Sequence, residues 1–236
     1  MPRWLTERHT EHYYNKAKEE GYRSRASYKL KQLDERFHFF EGAHNVLDLG
    51  AAPGGWLQVA STALSGSGLI LGVDLSKIEP LDSENVETIV GDATDPEVQA
   101  AIIDRFGGKA DLVLSDMAPN VSGIWDLDDL RQIHLARTAL LIADKLLKQD
   151  GWMVIKVFQG KEYDGFLSDV KAMFERVEVE KPLASRKSSS EVYFVLNCLR
   201  KDRVLPEEFR PGYDERKKPD EDEDLGPMPG DQLPPD

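Results

Sequence analysis

Apolar positions in this chain cluster into short runs that are separated by segments with a helical period. Seven apolar or β-branched runs are each bounded by turn-forming residues, which predicts strands. The predicted strands are Asn45–Leu49, Leu69–Val73, Val86–Val90, Leu112–Ser115, Met153–Phe158, Val177–Glu180 and Val192–Leu199. The predicted helices are Ser24–Phe37, Gly54–Leu64, Pro96–Phe106, Leu127–Leu147 and Tyr163–Phe174. Strands that alternate with helices predict a parallel sheet with helices on both of its faces.

The last two predicted strands differ from the others because no helical pattern separates them. A short, mostly polar segment links Val177–Glu180 to Val192–Leu199. Parallel neighbours need a longer crossover connection, so we expect the final strand to be antiparallel. The predicted fold class is therefore α/β and Rossmann-like, with a seven-stranded, mostly parallel sheet and an antiparallel final strand.

Charge is distributed unevenly along the chain. The net charge is −13, and residues 206–236 contribute −7 of it through eleven acids and four bases. This tail also contains seven prolines and little apolar periodicity, so we expect it to be disordered. Residues 1–36 have nine bases and six acids. We therefore divide the chain into a basic helical extension over 1–42, an α/β domain over 43–201 and an acidic tail over 202–236.

Two interpretations of the basic N-terminal segment stay open. Its bases and aromatic side chains are suited to gripping a phosphate backbone and stacking on nucleobases. The same composition also fits an ordinary amphipathic helix with a solvated, charged face. The aromatic residues in question are Trp4, Tyr13, Tyr14, Tyr22 and Tyr28.

Several classes of protein are excluded by composition. The single cysteine excludes an intramolecular disulfide framework and a cysteine zinc site. No apolar stretch reaches the roughly 20 residues that a membrane span needs. The charged N-terminal residues lack the apolar core of a signal peptide. We therefore expect a soluble, cytoplasmic protein without a membrane partner.

A glycine-rich turn follows the first predicted strand. Residues 46–56 read VLDLGAAPGGW, and the loop that begins at Gly50 does not fit the dinucleotide fingerprint G-x-G-x-x-G. Pro53 and the pair Gly54 and Gly55 instead indicate a tight turn around an adenosine-containing cofactor without a pyrophosphate. The expected cofactor is S-adenosylmethionine. Trp56 fits either a wall of this pocket or a core position of the following helix.

Three acids follow successive predicted strands. In an open α/β sheet the ligand lies at the carboxyl ends of the strands. Asp74 is placed to accept both hydroxyls of a ribose, and Asp92 is placed to accept from the adenine amine. Asp116 ends the fourth strand. Singly, each acid fits a helix cap or a turn, but three in series favour a cofactor site.

Lys156 is a charged residue within the otherwise apolar strand Met153–Phe158. Buried lysine is rare unless it is paired, although a lysine at a strand end can also extend to solvent. Burial and a second cation can lower the pKa of such a lysine to about 7–8, which suits a general base. Lys29 offers the second cation, and Asp116 and Glu191 offer acids to orient the amine.

These motifs together resemble the FtsJ (RrmJ-type) family of RNA ribose 2′-O-methyltransferases. The matching segments, which cover residues 23–200, are YKL at 28–30, DLGAAPGGW at 48–56, SDMAPN at 115–120, VIKVF at 154–158 and SSEVYF at 189–194. The resemblance implies a Rossmann-like S-adenosylmethionine-dependent methyltransferase fold. It also implies a catalytic set of Lys29, Asp116, Lys156 and Glu191, with Lys156 activating the hydroxyl. Asp116 would hold Lys156 and touch the cofactor, while Lys29 and Glu191 would place the ribose.

The resemblance also implies a substrate. We expect a monomer that methylates the ribose 2′-hydroxyl of a uridine in ribosomal RNA of the large subunit, as free RNA or within the subunit. The ribose of a transfer RNA anticodon loop is the alternative within the family. A methyltransferase for small molecules or proteins would not need Lys29, Lys156 and Glu191, and the intact set argues against a non-catalytic RNA-binding module.

Overall fold

A seven-stranded sheet forms the centre of the protein in the computed structural model, which describes residues 12–107, 109–186, 188–203 and 205. The strands are β1 (Asn45–Leu49), β2 (Leu69–Asp74), β3 (Val86–Val90), β4 (Ala110–Ser115), β5 (Leu147–Phe158), β6 (Phe174–Glu180) and β7 (Glu191–Leu199). Their spatial order is β3-β2-β1-β4-β5-β7-β6. The first five strands are parallel, and β7 is antiparallel to both of its neighbours. The predicted fold class is confirmed.

Helices connect most of the strands. Helix α1 (Ser27–Phe37) precedes β1, and the connecting helices are α2 (Gly55–Leu64), α3 (Pro96–Phe106), α4 (Trp125–Leu146) and α5 (Tyr163–Met173). Local sequence explains the limits of α3, because the Asp95 side chain accepts a hydrogen bond from the backbone N–H of Glu97 at 2.9 Å. At the other end, Gly107 adopts the left-handed conformation that commonly terminates a helix.

The strand order reverses between β1 and β4. These two strands are hydrogen-bonded neighbours, although β2 and β3 come between them in the chain. Ligands of open α/β sheets bind where the order reverses, beyond the carboxyl ends of the strands. Candidate residues at or just beyond the carboxyl ends of the parallel strands β1 to β5 therefore lie along the same edge of the sheet.

Helix α1 shares the main hydrophobic core with the sheet. Leu30 is fully buried and Leu33 is almost so, and both pack in one cluster with Leu57 of α2 and Val154 of β5. The helix is thereby fixed relative to the strands that carry the candidate site. The domain boundary predicted at residue 42 stays a prediction.

One acid lies inside the core. Asp48 in the centre of β1 has no exposed surface, and neither carboxyl oxygen has a hydrogen-bond partner among the described residues. Burial, followed by the charges of Asp116 and Asp74, raises the pKa of Asp48 well above its ordinary value. The protonated form is therefore the favoured one in the folded protein.

Two sequence-based expectations concern the N-terminal residues and the acidic tail. The acidic segment 206–236 and the first eleven residues lie outside the described residues. Within the described part of the chain, no helix combines the length and apolar character needed to cross a membrane.

Replacing Leu30 by alanine tests whether α1 belongs to the core. We expect Leu30→Ala to lower the free energy of unfolding by about 2–5 kcal/mol, because it leaves a cavity between α1 and the sheet. The matched control is Leu130→Ala on α4, whose side chain is 55% exposed, with an expected change within about 0.5 kcal/mol. Denaturant unfolding measures both, and equal values would contradict the shared core.

Replacing Asp48 by asparagine tests the buried acid. A group whose folded pKa is raised contributes stability below its unfolded pKa, near 3.9, and loses that contribution as pH rises. We therefore expect the melting temperature of Asp48→Asn, relative to the native protein, to increase between about pH 4 and 8. Thermal melts across this range measure the difference.

Asp111 provides the control, because its pKa is shifted in the opposite direction to that of Asp48. Burial alone would raise its pKa, but Lys148 and the backbone N–H groups of Asn45 and His44 hold that pKa below its ordinary value. Asp111→Asn is thus expected to be less stable than the native protein above about pH 4, with the deficit vanishing at lower pH. A difference for Asp48→Asn that shrinks as pH rises would refute the protonated buried acid.

Candidate active site

Four predicted site residues from distant parts of the sequence meet at the carboxyl edge of the sheet. Lys156 near the end of β5 forms an ion pair with Asp116, which follows β4, with 2.9 Å between Nζ and Oδ1. Lys29 of α1 forms a second ion pair with Glu191, the first residue of β7. The two lysine side chains are each only 7% exposed. The predicted set is therefore brought together as two ion pairs whose lysines are buried and whose acids are partly exposed.

Tyr193 connects the two ion pairs, and sequence reasoning missed it. Its hydroxyl donates to Oδ1 of Asp116 at 2.9 Å and accepts from Nζ of Lys29 at 3.2 Å. Burial, followed by the charges of Asp116 and Glu191, raises the pKa of Tyr193 well above its ordinary value, so the phenol keeps its proton. A signal was available, because Tyr193 is two residues after Glu191 and so shares its face of the strand.

Asp116 is ionised despite its surroundings. Burial alone would raise its pKa, but the charges of Lys156 and Lys29 and the hydrogen bonds from Lys156 and Tyr193 hold that pKa below its ordinary value. Lys156 donates a second hydrogen bond to the backbone oxygen of Asp116 at 2.5 Å. The Lys156 amine is thus fixed by two oxygen atoms of one residue.

Neighbouring polar groups support the two pairs. Ser185 donates through its hydroxyl to Oε1 of Glu191 at 3.0 Å. Gln132 of α4 donates to the backbone oxygen of Lys156 at 2.7 Å, which ties β5 to the helix behind it. The site therefore depends on contacts from α4 and from the loop before β7 as well as on its own four residues.

The glycine turn packs against the segment that carries Lys29. Gly50 has φ +77°, and a Cβ there would lie 2.8 Å from the backbone nitrogen of Met117. A Cβ on Gly55 would lie 2.5 Å from the hydroxyl oxygen of Ser24, and Ser27 donates to the Gly55 carbonyl at 3.0 Å. The absence of these side chains lets α1 and the loop after β4 approach the turn closely.

The other turn residues differ in exposure. Gly54 is buried with φ +106°, and a Cβ there would meet the Arg23 guanidinium at 2.8 Å. Pro53 is exposed and follows a cis peptide bond. Trp56 is buried, donates from its indole N–H to the Ala26 carbonyl at 2.8 Å, and lies 5.9 Å from the Tyr193 ring. Trp56 thus occupies the core position that the sequence left open, directly behind Tyr193.

The two acids expected to hold the nucleoside lie further along the same edge. Asp74 accepts from the backbone N–H of Ala52 at 3.0 Å and from that of Ser76 at 2.8 Å, one to each carboxylate oxygen. Each oxygen retains capacity for another donor, such as a ribose hydroxyl. Asp92 is exposed, and one of its oxygens accepts from the backbone N–H and hydroxyl of Thr94. Asp92 therefore also stabilises the turn in which it lies.

The chemistry of this edge fits S-adenosylmethionine, which is a cationic nucleoside. Asp74 and Asp116 present carboxylate acceptors there. Carboxylate acceptors at this edge are expected for a ligand that carries a sulfonium and an ammonium group and no phosphate.

Comparison with known proteins identifies relatives over most of the chain. The model of the FtsJ-like methyltransferase family matches residues 22–199. A protein of Methanothrix thermoacetophila named ribosomal RNA large subunit methyltransferase E is 53% identical over 185 residues, which cover 78% of this chain and 71% of the relative. A protein of the same name from Methanobrevibacter smithii is 49% identical over 193 residues, covering 82% of this chain and 92% of the relative.

Solved structures agree with this relationship. A Plasmodium falciparum protein, provisionally named a ribosomal RNA methyltransferase, has a TM-score of 0.67 and 28% identity, and the match covers 75% of this chain and 98% of that one. The methyltransferase MycE of mycinamycin biosynthesis has a TM-score of 0.53 at 20% identity, over 76% of this chain and 49% of that one, and shares the fold. The resemblance found in the motifs and the cofactor expected from them, S-adenosylmethionine, are confirmed. The chain belongs to the FtsJ-like methyltransferase family.

Proposed function

We propose that this methyltransferase transfers the methyl group of S-adenosylmethionine to the ribose 2′-hydroxyl of a uridine in large-subunit ribosomal RNA. The observation that carries the proposal is the buried arrangement of Lys156, Asp116, Tyr193, Lys29 and Glu191. A poorly acidic hydroxyl needs such an activating group, whereas a more reactive nucleophile does not. The names of the curated relatives support ribosomal RNA as the substrate.

Lys156 is proposed to accept the proton of the 2′-hydroxyl. Lys156 is charged in its ion pair with Asp116, so it must first release a proton to solvent; the neutral amine that results has two N–H donors and one lone pair. Both donors have a partner in Asp116, namely Oδ1 at 2.9 Å and the backbone oxygen at 2.5 Å. The lone pair is then directed away from Asp116, where a substrate hydroxyl can reach it. The same contacts stabilise the lysine after it has taken up the proton.

Lys29, Glu191 and Tyr193 are proposed to position the reacting groups. Tyr193 holds Asp116 in place by donating to the same carboxylate oxygen that pairs with Lys156. Lys29 brings a positive charge next to this network, while its pairing with Glu191 keeps that charge balanced. The network as a whole limits the rotation of the Lys156 amine and leaves Glu191 near the entering ribose.

The methyl donor is proposed to bind along the edge from β3 to β4. Bound S-adenosylmethionine supplies an electrophilic methyl group at this edge. Asp74 accepts from the ribose hydroxyls of the cofactor, Asp92 from the adenine amine, and Asp116 contacts the methionine part. The turn that borders it consists of Gly50, Pro53, Gly54 and Gly55, and Trp56 supports this turn from the core.

Replacing Lys156 by alanine tests the proposed base. We expect Lys156→Ala to lower kcat by about 10²- to 10⁴-fold, the usual contribution of a general base, while the Kd for S-adenosylmethionine changes little. The matched control is Lys148→Ala, which removes a lysine of the same strand that pairs with Asp111 at 2.5 Å. Turnover is measured with labelled cofactor, and binding by calorimetry.

The substrate is identified with the same assay. Native enzyme is offered free ribosomal RNA, large ribosomal subunits and transfer RNA, and the product is mapped by resistance of the modified ribose to alkali. Label on a base refutes ribose methylation, and label in transfer RNA alone refutes the ribosomal target. Normal turnover in Lys156→Ala refutes the assignment of the base.

Arg25 is the residue of the basic N-terminal segment that we propose as a phosphate contact. Its Nη1 atom is buried without a hydrogen-bond partner among the described residues. Burial, followed by the charge of Arg186, lowers the pKa of the Arg25 guanidinium, so an anion between the two arginines would be favoured. Arg23 is already engaged, since it donates to the carbonyls of Pro53, Glu79 and Pro80.

Replacing Arg25 by alanine tests this contact. We expect Arg25→Ala to weaken RNA binding and to reduce the slope of log K against log salt by about 0.7–0.9, the value for one lost phosphate contact. Arg36→Ala is the control, because Arg36 is 61% exposed and pairs with Glu180. Titrations at several salt concentrations give both slopes, and an unchanged slope for Arg25→Ala excludes the contact.

A further inference from the structure

Exposed apolar side chains follow the catalytic Asp116 in the chain. The fractions of exposed surface are 75% for Val121, 63% for Ile124 and 47% for Trp125. Trp125 is the first residue of α4, and the other two lie in the loop that joins β4 to this helix. Apolar side chains grouped on a surface in this way mark a binding surface more often than side chains scattered singly do.

The loop that carries these side chains is held firmly at its base. The buried carboxylate of Asp128 accepts from the backbone N–H and the hydroxyl of Ser122, both at 2.8 Å, and from the backbone N–H of Gly123 at 3.1 Å. Three hydrogen bonds to one carboxylate fix the path of the chain between Val121 and Trp125. The exposure of the apolar side chains is therefore built into the fold.

Trp125 packs on the strand that carries the proposed base. Its ring stacks on Phe158 with 6.1 Å between ring centroids and 17° between planes. Phe158 ends β5, two residues after Lys156, and pairs with Glu191 across the sheet. Residues two apart in a strand lie on the same face with Cα atoms about 6.6 Å apart, which is within the reach of one nucleotide.

The charged residues around this surface indicate which part of an RNA can bind there. Asp126 and Asp128 lie in the first turn of α4, and Asp126 is paired with Lys161 at 2.7 Å. The surface is apolar with acidic neighbours, so it does not favour a phosphate. An aromatic ring with apolar neighbours is instead suited to the face of a nucleobase. Arg25 and Arg186, by contrast, lie near Glu191 and Tyr193.

We propose that Trp125, backed by Phe158 and flanked by Val121 and Ile124, is a stacking platform for a nucleobase. The base belongs to the methylated nucleotide or to its immediate neighbour in the RNA. Stacking there positions the ribose over Lys156 and holds the strand independently of the phosphate contacts. This proposal rests on the proposed function, because it requires an RNA whose ribose enters the site.

The test is a double-mutant cycle between the protein and the RNA. An RNA fragment that the native enzyme methylates is prepared intact and with a single abasic nucleotide at the target, at the position before it or at the position after it. Binding to native enzyme, Trp125→Ala and Trp125→Phe is measured by titration at fixed salt. Leu130→Ala is the matched control, since Leu130 is an exposed apolar residue of the same helix.

The platform predicts a specific pattern of affinities. Trp125→Ala should weaken binding of intact RNA about 5- to 150-fold, while Trp125→Phe retains most of the affinity and Leu130→Ala all of it. With the RNA that is abasic at the stacked position, Trp125→Ala should reduce the binding affinity less than about 2-fold, because this RNA already lacks the base that would stack on Trp125. The salt slope should not change, since no phosphate contact is lost.

Other outcomes overturn the proposal. An unchanged affinity in Trp125→Ala, or an equal loss with every abasic RNA, shows that no base stacks on Trp125. A reduced salt slope indicates a backbone contact instead. If native enzyme methylates no ribose in any RNA, the proposed function itself fails before the variants are compared.

Discussion

One oxygen atom, Oδ1 of Asp116, joins the groups on which the site depends. It accepts from Tyr193 and pairs with Lys156, both at 2.9 Å, while Tyr193 accepts in turn from Lys29. Because these groups have little access to water, removing any one of them would leave each of its neighbours with one hydrogen-bond partner fewer. The orientation of the Lys156 amine is thus determined by largely buried residues that contact one another.

The fold supports this network through close packing at a few positions. Helix α1 can carry Lys29 to the site only because Gly55 leaves room for Ser24 and Ser27 against the turn. Its apolar residues share the core with the sheet, so the position of Lys29 is set by the same packing that stabilises the strands. The glycine turn that is proposed to hold the methyl donor is therefore packed directly against the segment that carries Lys29.

Much of the architecture was predictable because it follows from local pattern. The limits of β1, β3 and α3 agree with those predicted, and β7 has the predicted antiparallel direction. The structure begins β5 at Leu147 rather than at the predicted Met153, since Leu147 pairs with Ala110 across an irregular register that apolar pattern does not reveal.

The site was predictable in its charged residues and less so in its neutral ones. A lysine in an apolar strand is conspicuous, whereas Tyr193 in such a strand looks like an ordinary core residue until the pairing of Lys156 with Tyr193 is known. The partners of an arginine cannot be predicted from its local sequence either. Arg23 donates to three carbonyls, whereas Arg25 has a nitrogen without a partner among the described residues. The distinction depends on contacts between distant segments.

The place of β7 in the sheet has a consequence for the order of assembly. This last strand lies between β5 and β6, and it brings Tyr193 to Lys29, which is 164 positions earlier in the sequence. During synthesis the earlier strands emerge first, so β5 keeps an unpaired edge until β7 is made. Closing that edge and completing the network are one event. A nascent or truncated chain that lacks β7 has neither Tyr193 nor Glu191, so Lys29 loses both of the partners that it has among the described residues.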